Sequence, residues 1–262
     1  MALHLIDRMV VEDEGEGDAV VCIHGLGGTA NTWTPLMPAL ARYRVLRPDL
    51  PGSGRSNVEG PLTIERFVGA VVSACTRLNI KRAHFLGHSM GTIVCQHIAA
   101  AQPKLVRSLT LFGPVHALAD PARGAIRARA AKVRGDGLAG MHEVALALVA
   151  GALSADTRQR QPLAVAFVRE SLQRQSPDAY ARSCEALADA QPASLERIDA
   201  SALLITGDED AVAPPLAVRA LAQRFKDARV VVLNRCGHWT PIERADECAR
   251  ELTEFLGRQR RA

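Results

Sequence analysis

Three side chains in this chain could together perform nucleophilic acyl chemistry. Ser89 stands in Gly87-His88-Ser89-Met90-Gly91, an aspartate is offered by Gly207-Asp208-Glu209-Asp210, and His238 stands in Cys236-Gly237-His238-Trp239. A serine hydroxyl attacks a carbonyl at neutral pH only when a base takes its proton, and an imidazole serves as that base when a carboxylate fixes its tautomer. The pentapeptide follows the apolar stretch Ala83-His84-Phe85-Leu86 and precedes the helical run Thr92 to Ile98. That context predicts a sharp strand-to-helix turn, for which Gly87 and Gly91 provide the small neighbours. Such a turn lifts the serine hydroxyl above a sheet and aims the first N–H groups of the next helix at developing negative charge. Asp208 and Asp210 both qualify as the carboxylate on chemistry alone.

Strands and helices alternate through most of the sequence, which predicts an α/β fold with a mostly parallel sheet covered on both faces. Short opening strands are expected at Leu3 to Ile6 and Met9 to Val11. The first buried strand is expected at Ala19 to Ile23, and further strands at Tyr43 to Arg47, Ala83 to Leu86, Ser108 to Phe112, Ala202 to Thr206 and Arg229 to Leu233. Ile64, Phe67, Val68, Val71, Val72, Cys75 and Leu78 recur at helical spacing behind a Thr63 cap. A second helix is expected after Pro214-Pro215, and a last one from Pro241, with Thr240 and Glu243 as a capping box. Between Val115 and Ile198 the alternation stops and the composition turns helical. The expected domain division is therefore a core of 1–114 and 199–262 with a helical cap over 115–198.

The chain has 262 residues, 48% hydrophobic and 23% charged, enough to bury a full core and unlike a disordered chain. Its net charge of +4 is spread along the sequence and ends in a short basic segment, Arg258 to Arg261. No aromatic platforms alternate with basic residues, so no nucleic-acid partner is expected. The six cysteines lie apart in apolar patterns and read as reduced core residues. The N-terminus has no signal-peptide pattern and no window reaches the length of a membrane span, so a cytoplasmic chain without membrane partners is expected. His84 and His88 are four apart on a strand, which does not converge on a metal, and no metal or other cofactor is expected. The glycines after His24 do not have dinucleotide-binding spacing.

His24-Gly25-Leu26-Gly27, Arg47 to Ser56 (RPDLPGSGRS), Gly87 to Gly91, Gly207 to Asp210 and Gly237-His238 stand in an order that resembles the α/β-hydrolase-fold enzymes over essentially the whole chain. Within them the chain most resembles the 3-oxoadipate enol-lactonase-like branch of esterases and lactonases. Arg47-Pro48-Asp49-Leu50, Ala83 to Gly87, Arg129 to Arg134 and Tyr180 to Leu187 carry that likeness. It departs from that branch at Ala150-Gly151-Ala152-Leu153, where an aromatic pair is usual.

The resemblance implies a serine hydrolase of small carboxylic esters or lactones, an enol-lactone among them, with Ser89 as nucleophile and His238 as base. It selects Asp210, three residues after Gly207, over Asp208. It also implies an oxyanion hole of the Leu26 and Met90 backbone N–H groups. Gly25 would let that loop approach a ligand, Trp33 and Trp239 would line the pocket or pack, and Arg129 and Arg134 are the cap cations that could meet a substrate carboxylate. His24, His88 and Asp49 read as structural, and Cys236 as filler. The same triad supports C–C bond hydrolysis or perhydrolysis, and the fold also serves small-molecule receptors, which bind one ligand and stall.

Overall fold

In the computed structural model, which describes residues 1–259, eight strands form one sheet: β1 (Ala2–Ile6), β2 (Met9–Glu14), β3 (Ala19–Ile23), β4 (Arg44–Pro48), β5 (Ala83–His88), β6 (Val106–Phe112), β7 (Ala202–Gly207) and β8 (Ala228–Leu233). Arg260 and Arg261 of the basic end lie outside the described residues. The strand order is β1-β2-β4-β3-β5-β6-β7-β8. β2 pairs antiparallel with β1 and with β4, and every later pair is parallel. The central strands β3, β5 and β7 are buried along their whole length, as expected of strands covered on both faces.

The helices are α1 (Ile64–Arg77), α2 (Met90–Ala101), α3 (Asp120–Ala152), α4 (Ala155–Arg160), α5 (Pro162–Gln173), α6 (Pro177–Ala188), α7 (Pro215–Ala222), α8 (Thr240–Glu243) and α9 (Ala245–Gln259). Thr63 caps α1 by accepting the Arg66 N–H, and Ile64, Phe67, Val71 and Cys75 are its buried face. Side-chain alternation divides the sheet's apolar residues between two layers. Val21, Ile23, Phe85 and Leu111 join α1, α2 and α7 on one face. Val20, Cys22, Leu86 and Phe112 join α9 and a 3₁₀ helix, Ala30–Leu40, on the other. That 3₁₀ helix is not legible in the residue pattern, because Pro35 and Pro38 inside it read as loop.

The chain leaves β3 for β4 on one side and returns past it to β5 on the other. The sheet therefore reverses its winding between β3 and β5, and in open α/β sheets the ligand crevice lies beyond the carboxyl ends of the strands at such a reversal. Four helices, α3 to α6, stand between β6 and β7. α3 is interrupted at Gly137, whose φ of 56° is outside the helical region. These helices have an apolar cluster of their own, including Val133, Met141, Val144, Leu172 and Tyr180, which extends to Leu26 and Trp239 at the crevice.

The last helix departs from expectation. Trp239, not Thr240, precedes its first turn, and the Thr240 hydroxyl is buried without a hydrogen-bond partner. Glu243 turns inward, and the helix breaks at Arg244 into α8 and α9. All six cysteines are buried and unpaired in disulfides. Burial raises the thiols of Cys22, Cys75, Cys95, Cys184, Cys236 and Cys248 above the ordinary range. No helix among the described residues is long and apolar enough to cross a membrane.

Candidate active site

Ser89 sits between β5 and α2 with φ 51° and ψ −118°, a backbone conformation that strains any residue with a side chain. The surroundings hold it there. A Cβ on Gly87 would lie 2.7 Å from the Gly91 carbonyl oxygen, and one on Gly91 would lie 2.2 Å from that of Ile23, so neither glycine can be replaced without moving backbone. The Ser89 N–H donates to Phe112 O at the end of β6, and the Thr92 hydroxyl donates to Ser89 O at 2.6 Å. Met90 opens α2, where helix geometry leaves the first N–H groups without intrahelical acceptors.

Facing the turn is the loop after β3. A Cβ on Gly25 would meet Ser89 Cβ at 2.9 Å, so glycine is what lets this loop touch the Ser89 turn. His24 Nδ1–H donates to Gly25 O at 2.8 Å, the Gly28 N–H donates to the same oxygen at 3.0 Å, and His24 Nε2 accepts the Leu50 N–H. With the Gly25 carbonyl held on one side of a trans peptide, the Leu26 N–H must point to the other. Burial, offset in part by the Gly25 carbonyl and Asp49, lowers the His24 pKa and keeps the ring in the neutral form that both donates and accepts.

The candidate carboxylate and imidazole come from the loops after β7 and β8. His238 Nδ1 donates to Asp210 at 2.9 Å to Oδ2 and 3.0 Å to Oδ1. Asp210, 3% exposed, also accepts the N–H groups of Val212 and Ala213, each at 2.8 Å, and the Thr206 hydroxyl. Burial pushes its carboxyl upward, but the charge and hydrogen bond of His238 and these N–H groups outweigh it and hold the carboxyl at about 2. Asp208 performs a different task, accepting the Cys236 N–H to hold the loop that carries His238. The His238 ring lies on Gly113, where a Cβ would come within 2.8 Å of Cε1 and Nδ1. Ser89 and His238 thus both rest on the Phe112–Gly113 end of β6. His88 Nε2–H donates to His238 O at 3.0 Å, and burial first, with His238 beside it, pushes His88 down to about 3.

The structure therefore brings Ser89, Asp210, His238, Gly25, Leu26 and Met90 to one end of the sheet, at its winding reversal. Trp239 adjoins them, its ring 5.1 Å from that of His88 and packed into the apolar cluster of α3 to α6. Two expected residues are elsewhere. Trp33 is fully buried in the 3₁₀ helix and packs edge-on against Phe112 at 5.6 Å, in the apolar layer that the sheet shares with α9. Arg134 is half exposed and bound by both guanidinium nitrogens to Glu185, at 2.6 and 3.1 Å, so an intramolecular carboxylate already occupies it. Arg129 differs from Arg134 in that it flanks the buried Tyr180, whose ring also lies against Gly27. Sequence reasoning gave Tyr180 no role of its own within the Tyr180 to Leu187 likeness, and it read Glu243 only as the partner of Thr240 in a capping box, a spacing that says nothing of the distant N–H groups that draw it inward. Cys236 is buried and its thiol raised, which suits filler. Among the described residues no cluster of histidine, cysteine and carboxylate side chains could hold a metal ion.

A family model for the alpha/beta hydrolase fold matches residues 18–245. The enol-lactonase of Burkholderia xenovorans LB400 superposes with a TM-score of 0.90 at 30% identity, covering 98% of this chain and 100% of that one. The 2-hydroxymuconate semialdehyde hydrolase of Pseudomonas sp. strain CF600 is 30% identical over 261 residues, 95% of this chain and 90% of its own. An esterase of Thermogutta terrifontis, at 23% identity, has the same fold with a TM-score of 0.90 over 98% of both chains. Strand order, the strained serine turn and the family match agree: the chain is a member of the alpha/beta hydrolase fold family and of its hydrolase enzymes.

Proposed function

We propose that this chain hydrolyses small carboxylic esters or lactones through Ser89, His238 and Asp210. The observation that carries the proposal is the buried His238–Asp210 pair resting on the same strand end as a serine held at positive φ. In this reading His238 Nε2 takes the proton of Ser89 Oγ as Oγ attacks the carbonyl carbon, and the Leu26 and Met90 N–H groups stabilise the resulting oxyanion. The C–O bond to the leaving group then breaks, and the alcohol oxygen takes the proton from His238. Water, deprotonated by His238, attacks the acyl-enzyme, and release of the acid restores Ser89 Oγ–H. Asp210 remains ionised throughout, which its low pKa favours.

The helices over 115–198 act as a cap in this reading. The apolar cluster reaching Leu26 and Trp239 favours an acyl group of modest size, and Arg129 is the cap cation near enough to Tyr180 to meet a carboxylate on the substrate. The test is a panel of aryl esters, aliphatic esters and lactones, each with and without a remote carboxylate, turned over by wild type, Ser89→Ala and Arg129→Ala. Multiple turnover by wild type and none by Ser89→Ala is expected; a single turnover would instead mark a ligand receptor. Loss of preference for the carboxylated member in Arg129→Ala supports the cap assignment.

The likeness to 2-hydroxymuconate semialdehyde hydrolase over 95% of the chain favours a second reading, hydrolysis of a C–C bond next to a carbonyl by the same residues. A dienoate semialdehyde in the panel separates the two: it would be consumed faster than any ester.

A further inference from the structure

Glu243 is 3% exposed, and its carboxylate is held by backbone rather than by a cation. Oε1 accepts the Trp239 N–H at 3.0 Å, and Oε2 accepts those of Gly237 at 3.1 Å and Ser154 at 2.8 Å. Two of these donors flank His238 in the loop after β8. The third belongs to the junction between α3 and α4, far away in sequence. That junction makes two more bonds to the same region: the His238 N–H donates to Ala152 O at 2.8 Å, and the Ala155 N–H donates to Glu209 in the loop that carries Asp210. Contact is close enough that a Cβ on Gly237 would lie 2.5 Å from Ala152 O and 2.7 Å from Ser154 N. A buried carboxylate with all its bonds satisfied rigidifies what it joins, and losing one donor leaves charge uncompensated in a dry site.

We infer that Glu243 is a positioning residue that fixes His238 to the α3–α4 junction, so that the inserted helices, and not the sheet alone, set where the base stands. The inference rests on the hydrolytic reading of Ser89 and His238. It extends that reading by making movement of the inserted helices a way to switch the base on or off. Displacing a base by about 1 Å costs on the order of 10²-fold in rate.

Removing Glu243 outright risks unfolding the loop, so the decisive variant acts on a donor. Ser154 has φ −63° and ψ 157°, and Leu153 before it has φ −100° and ψ 146°, both compatible with proline at 154. Ser154→Pro deletes the N–H to Glu243 and the hydroxyl that caps α4, whereas Ser154→Ala deletes only the hydroxyl. Proline also places its Cδ where the N–H stood, against Oε2, so the pair reads loss of that bond together with displacement of the Glu243 carboxylate. Relative to Ser154→Ala, the proline variant is expected to lose about tenfold in kcat with KM within about twofold and an unchanged circular dichroism spectrum. Amide hydrogen exchange should accelerate at His238 and Trp239, a readout independent of turnover. In a Glu243→Gln background the proline should add little, since the acceptor is already altered. Equal kcat and equal exchange for the two Ser154 variants, or a full additional loss on top of Glu243→Gln, overturns the coupling. Failure of the hydrolytic reading looks different: Ser89→Ala would be as active as wild type, while the exchange data would still decide whether Glu243 ties the loop to the helices.

Discussion

The two sides of the crevice hold their polar groups by opposite means. On the sheet side, Asp210, His24 and His88 are buried, and each is fixed by named backbone or ring partners. On the side of the inserted helices, charge lies outward and pairs with charge, as in Arg134 with Glu185, Arg127 with Asp189 and Lys132 with Asp136. Buried groups held by specific partners specify one geometry, whereas exposed ion pairs are screened and nearly interchangeable. The sheet side, with the α3–α4 junction that Glu243 ties to it, is thus built for position, whereas the outer faces of the helices carry exchangeable charge.

If that contrast is right, substitutions should divide sharply by region. The largest effect is expected from Ser89→Ala and His238→Ala, each lowering kcat by on the order of 10⁵-fold, with the double variant little worse than either because the two act as one unit. Steady-state and single-turnover ester hydrolysis will check this, and a multiplicative double variant would break the unit. Next comes Asp210→Asn, expected to cost about 10⁴-fold by offering the imidazole the wrong tautomer. Asp208→Asn, which weakens one loop bond, should stay within about tenfold. The reverse order would move the orienting carboxylate two residues upstream.

A smaller effect concerns pH. The native His88 pKa of about 3 lies below the ordinary 6.5, so the unfolded chain binds this proton more readily. The stability it contributes is complete above about pH 6.5 and drains away as pH falls toward about 3. Thermal melts from pH 7 to 4 should show that slope, and His88→Gln should flatten it. The smallest effect is expected on the helical side: Arg134→Ala should change stability by no more than about 1 kcal/mol and leave kcat unaltered. A large activity loss there would erase the distinction between the two sides.

The sheet side was readable in the sequence because its constraints are local. Gly87, Gly91 and Ser89 must be neighbours to make one turn, and buried parallel strands write continuous apolar runs such as Ala19 to Ile23. What the sequence hid depends on distant partners. Trp33 packs on Phe112 only because the chain after β3 crosses to one particular face, and the two prolines near it masked the 3₁₀ helix. Glu243 matched a capping box in spacing, yet three backbone N–H groups, one of them across the crevice, draw it inward. Arg134 offered a free cation to anyone reading along the chain, and Glu185, on another helix, had already claimed it.

The burial of every cysteine has a practical side. With six thiols enclosed and held in the unreactive protonated form, maleimides and disulfide reagents should find nothing to modify on the native protein. A single cysteine introduced at exposed Leu138, beside the interruption at Gly137, would then be the sole labelling position. A fluorophore there could report on the inserted helices during turnover without first stripping the native cysteines from the core.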